Sequence, residues 1–189
     1  MIERQLPLAV QRFIEEHARG DKWTAMALHA LVCAAMLGGK GFFRGSSVLV
    51  SGTAGTGKSS LASYFVDAAS RRGERGLYFA FEESPQQIMR NMGSIGLNLE
   101  PWVNKGLLQF HSSRPTLYGL ETHLAVMHRQ IQEFKPRVVV IDPISNLINT
   151  GSVTEVRSML LRLVDFLKSQ KITALFTSLS SQGDNSLEE

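Results

Sequence analysis

The sequence predicts an α/β fold of three layers, with helices covering both faces of a mainly parallel sheet. Three observations carry this expectation. Short apolar runs alternate with longer amphipathic stretches from Ser47 to Thr177. Those runs are apolar at successive positions rather than at every second one, as strands buried on both faces require. A glycine-rich turn joins the first run to the first long stretch, so strand passes directly into helix.

Each element has its own warrant. Ahead of the alternation, Leu6, Val10, Phe13 and Ile14 recur at helical spacing until Gly20, and Asp21 caps a second, more apolar helix over Lys22–Met36. Gly38, Gly39, Gly41 and Gly45 then form a loop around Phe42 and Phe43. Ser47–Ser51 reads as a buried strand, and a helix follows the glycine turn from Lys58 to Arg72. Gly76–Phe81 is the second strand, and Ser84-Pro85 opens the next helix with proline at its first position. Leu107–Phe110 is a third strand and Leu117–Phe134 a helix stopped by Pro136. Val138–Ile141 is a fourth strand, Val153–Ser169 a helix and Ile172–Thr177 a fifth strand. Ser180–Glu189 is polar. No internal repeat or linker interrupts this series, so the chain reads as one domain, with residues 1–36 a helical segment ahead of a core over residues 37–189.

Composition narrows the class of protein. A chain of 189 residues is long enough to bury a substantial core. Its net charge of +3 comes from scattered Lys and Arg, which is no dedicated nucleic-acid surface. The single cysteine, Cys33, excludes an intrachain disulfide and suits a reducing compartment. The longest apolar stretch, Met26–Leu37, is too short to span a bilayer, and the first residues lack a signal-peptide core. A cytoplasmic protein without membrane contact is expected.

The segment Gly52-Thr53-Ala54-Gly55-Thr56-Gly57-Lys58-Ser59 satisfies G-x-x-x-x-G-K-[ST] at every fixed position. Its glycines let backbone N–H groups curl around phosphates, and the helix that follows adds its positive end. Lys58 is placed to bridge the β- and γ-phosphates, and the Ser59 hydroxyl to ligate Mg²⁺. Gly52 to Ser60 is therefore the candidate site for ATP with magnesium. A chance glycine turn would lack the strand before it and the helix after it.

Two strand ends supply carboxylates. Val138-Val139-Val140-Ile141 runs into Asp142, and ligands of open parallel sheets bind outside the carboxyl ends of strands. Asp142 is thus the candidate metal-side carboxylate with Ser59, though it could instead cap the turn at Pro143. Glu82 and Glu83 end the second strand. Adjacent carboxylates there suit activation of a water for attack on the γ-phosphate, since like charges raise one pKa. Alternatively, one of them serves the first turn of the following helix.

These segments read together. Gly41-Phe42-Phe43, the Gly52–Ser59 loop, Phe79-Ala80-Phe81-Glu82-Glu83-Ser84, and Phe134-Lys135-Pro136 leading into Val-Val-Val-Ile-Asp resemble the KaiC family of RecA-like P-loop ATPases, over about Leu37 to Ser186. The resemblance implies ATP bound at the interfaces of a ring, usually a hexamer, hydrolysed slowly and coupled to signalling or timing through protein partners. It implies catalytic roles for Lys58, Glu82 and Glu83, metal roles for Ser59 and Asp142, and γ-phosphate sensing at Thr177 and Ser178. The sequence departs from the family pattern in two places. Leu28–Met36 lacks the Thr-Gly turn and Leu-Asp pair usual before the Gly-Gly-x-Gly-Phe-Phe segment. The strands and the basic motif that follow Gln182–Ser186 in the family are also absent, which implies a C-terminally truncated core whose hydrolysis is weak.

Other residues read as structural. His123 and His128, five apart, are poorly spaced for one helix face and have no acidic or cysteine partner to complete a metal site. Trp23 and Trp102 read as packing residues, and Met89, Met92 and Ile95 as core or interface. Two further functions compete with the ATPase: a DNA-dependent RecA-like motor or recombinase, and a nucleotide-dependent regulator without useful turnover. Pro143–Ser152 contains no Lys or Arg, which argues against loading DNA there.

Overall fold

The computed structural model describes residues 42–180 other than 115, 117 and 118. The chain divides into two compact units, Met1–Phe43 and Arg44–Glu189, and every described element belongs to the second. The helices expected before residue 37 lie outside the described residues.

Five strands, β1 (Ser47–Gly52), β2 (Gly76–Ala80), β3 (Leu108–Ser112), β4 (Val138–Asp142) and β5 (Thr173–Leu179), form one sheet in the order β1-β5-β4-β2-β3. All four pairings are parallel. Between the strands lie α1 (Lys58–Arg71), α2 (Pro85–Ser94), α3 (Glu100–Asn104), α4 (Leu120–Phe134) and α5 (Val153–Ser169), with a 3₁₀ helix over Ile144–Thr150.

Strand periodicity sorts the side chains into two layers. Leu77 and Phe79 of β2, Val139 and Ile141 of β4, and Ala174 and Phe176 of β5 pack against Leu124, Met127 and Ile131 of α4 and Val156, Met159, Leu163 and Leu167 of α5. The intervening positions face α1, whose Ala62, Val66 and Ala69 are fully buried. At Gly76 a side chain would meet Val66 Cβ at 3.4 Å and Val138 Cγ2 at 3.3 Å, so glycine permits the close approach of α1 to the sheet. With both faces covered, β2 and β4 are buried at every position, and the expected three-layer α/β/α arrangement is the observed one.

Local chemistry sets the helix starts. Ser84 caps α2 by accepting from Gln87 N at 3.3 Å, while the Gln87 side chain accepts from Ser84 N at 2.9 Å, and Pro85 takes the first turn. Ser152 and Glu155 repeat this reciprocal cap at α5. Some boundaries differ from the sequence expectation. α4 is assigned from Leu120 rather than Leu117, because Gly119 is extended at ψ 161° and serves as its N-cap. The sequence reading names no element at α3, since five residues are too few to show a helical period. Trp102 anchors it by donating from its indole N–H to Asp67 of α1 at 2.7 Å, with Arg71 and Lys105 over the ring. Trp102 is thus a packing residue, as expected. The stretch after Asp142 is a 3₁₀ helix whose Ile144 and Leu147 are buried in the core.

Candidate functional site

The glycine turn connects β1 to α1 at the carboxyl edge of the sheet. Gly55 and Gly57 sit at φ +80° and +84°, where a side chain is strained, and a Cβ at either would point into open space. The turn is therefore a bare-backbone cradle. Gly57 is also the N-cap of α1 and supplies no side-chain cap, so no side-chain oxygen closes off the helix's first N–H groups. Thr53 and Thr56 stiffen the turn from within. Thr56 Oγ1 donates to Thr53 O at 2.9 Å, and a Cβ on Gly52 would lie 3.1 Å from that hydroxyl. The Lys58 ammonium donates to Gly52 O at 2.8 Å and Thr53 O at 2.7 Å, so its charge already lies over the loop.

A cleft of about 390 Å³ opens beside this turn. Ala54, Gly55, Gly57, Lys58, Ser59 and Ser60 line one side, and Glu82, Glu83 and Asp142 line it from the ends of β2 and β4. Gly52, Thr53 and Thr56 support the loop without lining the cleft. Residues named from three separate stretches of sequence thus converge on one cavity, because parallel strands deliver all their carboxyl ends to the same edge. Phe81 N donates to Asp142 O at 2.8 Å, which fixes the start of the Glu82–Glu83 segment against β4.

The carboxylates differ in how they are held. Asp142 is 7% exposed. Its Oδ2 accepts from the Tyr78 hydroxyl at 2.5 Å and its Oδ1 from the Thr177 hydroxyl. Burial, and then the charge of Asp142, push the Tyr78 phenol well above its ordinary range, so it remains a donor. Glu83 is half-buried and accepts from Asn91 Nδ2 of α2 at 3.0 Å. Burial first, then the charges of Asp142 and Glu82, raise its carboxyl above the usual range against the lowering effect of Asn91. Glu82 is exposed in the cleft and has no hydrogen-bond or ion-pair partner among the described residues.

Thr177 and Ser178 stand behind the cleft rather than in its wall. Both are buried, neither lines the cleft, and the Thr177 hydroxyl is committed to Asp142 from behind. Two residues escaped the sequence reading, Tyr78 and Asn91. Tyr78 is hidden in an apolar run where its ring suits the core as well as Phe would. Asn91 follows Ser84 by seven positions, two helical turns, a spacing that places it over the strand end but only once the helix cap is known.

Asn91 and Met92 of α2 and Ile95 at its C-cap complete the cleft beside Pro143 and Leu179. Among the described residues there is no cluster of three His, Cys, Asp or Glu able to hold a metal, so a cation here would rely on a hydroxyl, a carboxylate and the ligand's own oxygens. His123 packs edge-on against Phe81, and His128 lies tilted over Phe166 with ring centroids 4.1 Å apart.

A glycine cradle opening a helix, with Lys and Ser at its end and carboxylates from two further parallel strands, defines a P-loop domain of the RecA-like kind. Comparison with known proteins gives the family. The model described as "ATPase: KaiC" matches residues 30–189, and the chain belongs to the KaiC family. It is 54% identical over 145 residues to the circadian clock protein KaiC2 of Synechocystis sp., covering 77% of this chain and 26% of that protein. To the circadian clock oscillator protein KaiC of Picosynechococcus sp. it is 40% identical over 144 residues, 76% of this chain and 28% of that one. With KaiC of Thermosynechococcus vestitus it shares 40% identity over 153 residues, 80% and 30% of the two chains. The chain thus spans between a quarter and a third of the length of these curated relatives. No helix among the described residues is long and apolar enough to cross a membrane.

Proposed function

We propose that this chain binds ATP with magnesium in the cleft at the end of β1 and hydrolyses it to ADP and phosphate. The observation that carries the reading is the convergence of Lys58 and Ser59, Asp142, and Glu82 with Glu83 from three strands onto one cavity.

Each residue then has a distinct task. Backbone N–H groups of Gly55 to Ser60 cradle the phosphates, which is why Gly55 and Gly57 carry no side chain into that space. Lys58 exchanges its two loop carbonyls for phosphate oxygens, a stronger charge-assisted pairing. Ser59 Oγ and Asp142 hold the magnesium, which when bound neutralises charge on the β- and γ-phosphates. Glu82, exposed and unpaired among the described residues, takes the proton from the attacking water, while Glu83, tied to Asn91, fixes the backbone from which Glu82 reaches.

The proposal extends to self-association into a ring, six-membered in the family's pattern, and to a signalling or timing role like the one named for the relatives. A DNA-driven motor is not favoured: the 3₁₀ helix after Asp142 is packed into the core through Ile144 and Leu147 and has no cation. Equilibrium binding of a fluorescent ATP analogue, run with Lys58→Ala beside the wild type, tests the core of the reading. Wild-type binding weakened by at least about 30-fold in the variant is expected, given charge-assisted contacts of about 1.5–3 kcal/mol plus the cradle they complete. Equal binding by both chains would remove the nucleotide from this cleft. Sedimentation with and without Mg-ATP tests the ring, and turnover assays separate an ATPase from a nucleotide-dependent regulator.

A further inference from the structure

Tyr78 presents a puzzle of its own. It is fully buried on the α1 face of β2, with Phe110 of β3 against its ring at 5.3 Å between centroids. A phenylalanine would fill that space without a hydroxyl to desolvate, and burying a hydroxyl costs free energy unless it is hydrogen-bonded. Here the hydroxyl reaches past its register partner, Val140, to Asp142 two residues on. Thr177 reaches the same carboxylate from β5, on the other side of β4. One hydroxyl therefore engages each carboxylate oxygen, from opposite directions along the sheet. A carboxylate has about four acceptor sites, so each oxygen keeps a lone pair for the cleft that Asp142 lines.

We propose that Tyr78 is a positioning residue for magnesium: its hydroxyl fixes the plane of the Asp142 carboxylate so that the free lone pairs are pre-aimed at the cation of a bound nucleotide. The inference rests on the nucleotide reading above and deepens it. Outer-shell hydrogen bonds of this kind orient ligating groups and commonly matter by about 10-fold or more in metal affinity. Thr177 alone leaves the carboxylate a hinge about its Oδ1. Tyr78 closes the second point, and the two donors together define an orientation.

The test is the coupling between magnesium and nucleotide in Tyr78→Phe. The affinity of a fluorescent ATP analogue is measured across a magnesium titration and again in excess EDTA. Tyr64→Phe, the same chemical change on α1 away from Asp142, is the control. In Tyr78→Phe the magnesium concentration for half-maximal binding should rise about 10-fold or more, with the EDTA affinity unchanged. Tyr64→Phe should match the wild type in both. Should the phenylalanine variant fail to fold, 4-fluorophenylalanine at position 78 fills the hydroxyl's volume without donating and takes its place. Unchanged coupling, or an equal loss with and without magnesium, overturns the positioning role while leaving the nucleotide site standing. A wild-type chain that binds the analogue under neither condition overturns the nucleotide reading and this inference with it.

Discussion

Asp142 and the Glu82–Glu83 pair stand at the ends of adjacent strands and line the same cleft, yet the protein treats them in opposite ways. Asp142 is nearly sealed from solvent and clamped by Tyr78 and Thr177. Glu82 is exposed and unpaired among the described residues, and Glu83 has one side-chain partner, Asn91. Under the function proposed above, the difference is that between a group that holds a position and a group that changes protonation. A carboxylate fixed by two donors keeps its plane. One left in solvent can accept a proton, and its neighbour Glu83 is displaced upward by burial first and by like charge second.

The largest effect expected from this contrast is on turnover. Glu82→Gln removes the proposed proton acceptor while preserving shape, and should lower hydrolysis by about 10²- to 10⁴-fold with nucleotide affinity retained. Glu83→Gln should cost less, since its amide still pairs with Asn91. Steady-state rates and analogue binding on the two variants rank them. A larger loss at Glu83 would exchange the two roles.

Asp142→Asn comes next. It keeps the side chain's outline but removes its charge and one of the two oxygens that accept from Tyr78 and Thr177. Magnesium-dependent binding should weaken by at least about 10- to 100-fold, the range seen even for groups that act one shell further out. Binding in EDTA should change little. A comparable loss in EDTA would mean that Asp142 serves the fold rather than the cation.

Thr177→Val separates the clamp from the chemistry. The substitution is close to isosteric and deletes the donor to Oδ1 in a buried site. Hydrogen bonds to charged groups contribute about 1.5–3 kcal/mol, so the melting temperature should fall by about 2–4 °C per kcal/mol lost. Calorimetry reads this directly, and an unchanged melting point would show that the contact carries no stability.

Much of this contrast was legible in the sequence, and the illegible part has a physical cause. Gly52–Ser59, Asp142 and the Glu82–Glu83 pair were found because each belongs to a local pattern: fixed glycines, or an apolar run ending in an acid. The parallel sheet then had to bring them together, since parallel strands share one carboxyl edge. Tyr78 gave no such sign, and Thr177 was singled out only through the family resemblance, for a γ-phosphate role and not for its bond to Asp142. Inside a strand, a tyrosine or a threonine is an ordinary β-former, and its hydroxyl acquires meaning only from the neighbouring strand. The strand order β5-β4-β2 sets Asp142 between them, and that order is not written in any one segment. α3 was missed for the complementary reason: Trp102 and Asp67, thirty-five residues apart, anchor it rather than any period of its own.

The smallest expected effect concerns Glu83 and pH. Burial and the charges of Asp142 and Glu82 raise its folded-state carboxyl pKa above the unfolded value. Below the unfolded pKa the group is protonated in both states and contributes nothing. As pH rises through the folded pKa, the native state must accept a charge that its surroundings disfavour, so this group destabilises the protein at neutral pH. Glu83→Gln should therefore raise the melting temperature at pH 7, with the gain fading as the pH falls below the ordinary carboxylate range. Glu82→Gln removes one source of the displacement and should give a weaker gain of the same sign. The opposite pattern, a destabilised Glu83→Gln at pH 7, would mean that the bond from Asn91 outweighs burial and like charge. Glu83 would then be held as firmly as Asp142, and the contrast between the two strand ends would rest on Glu82 alone.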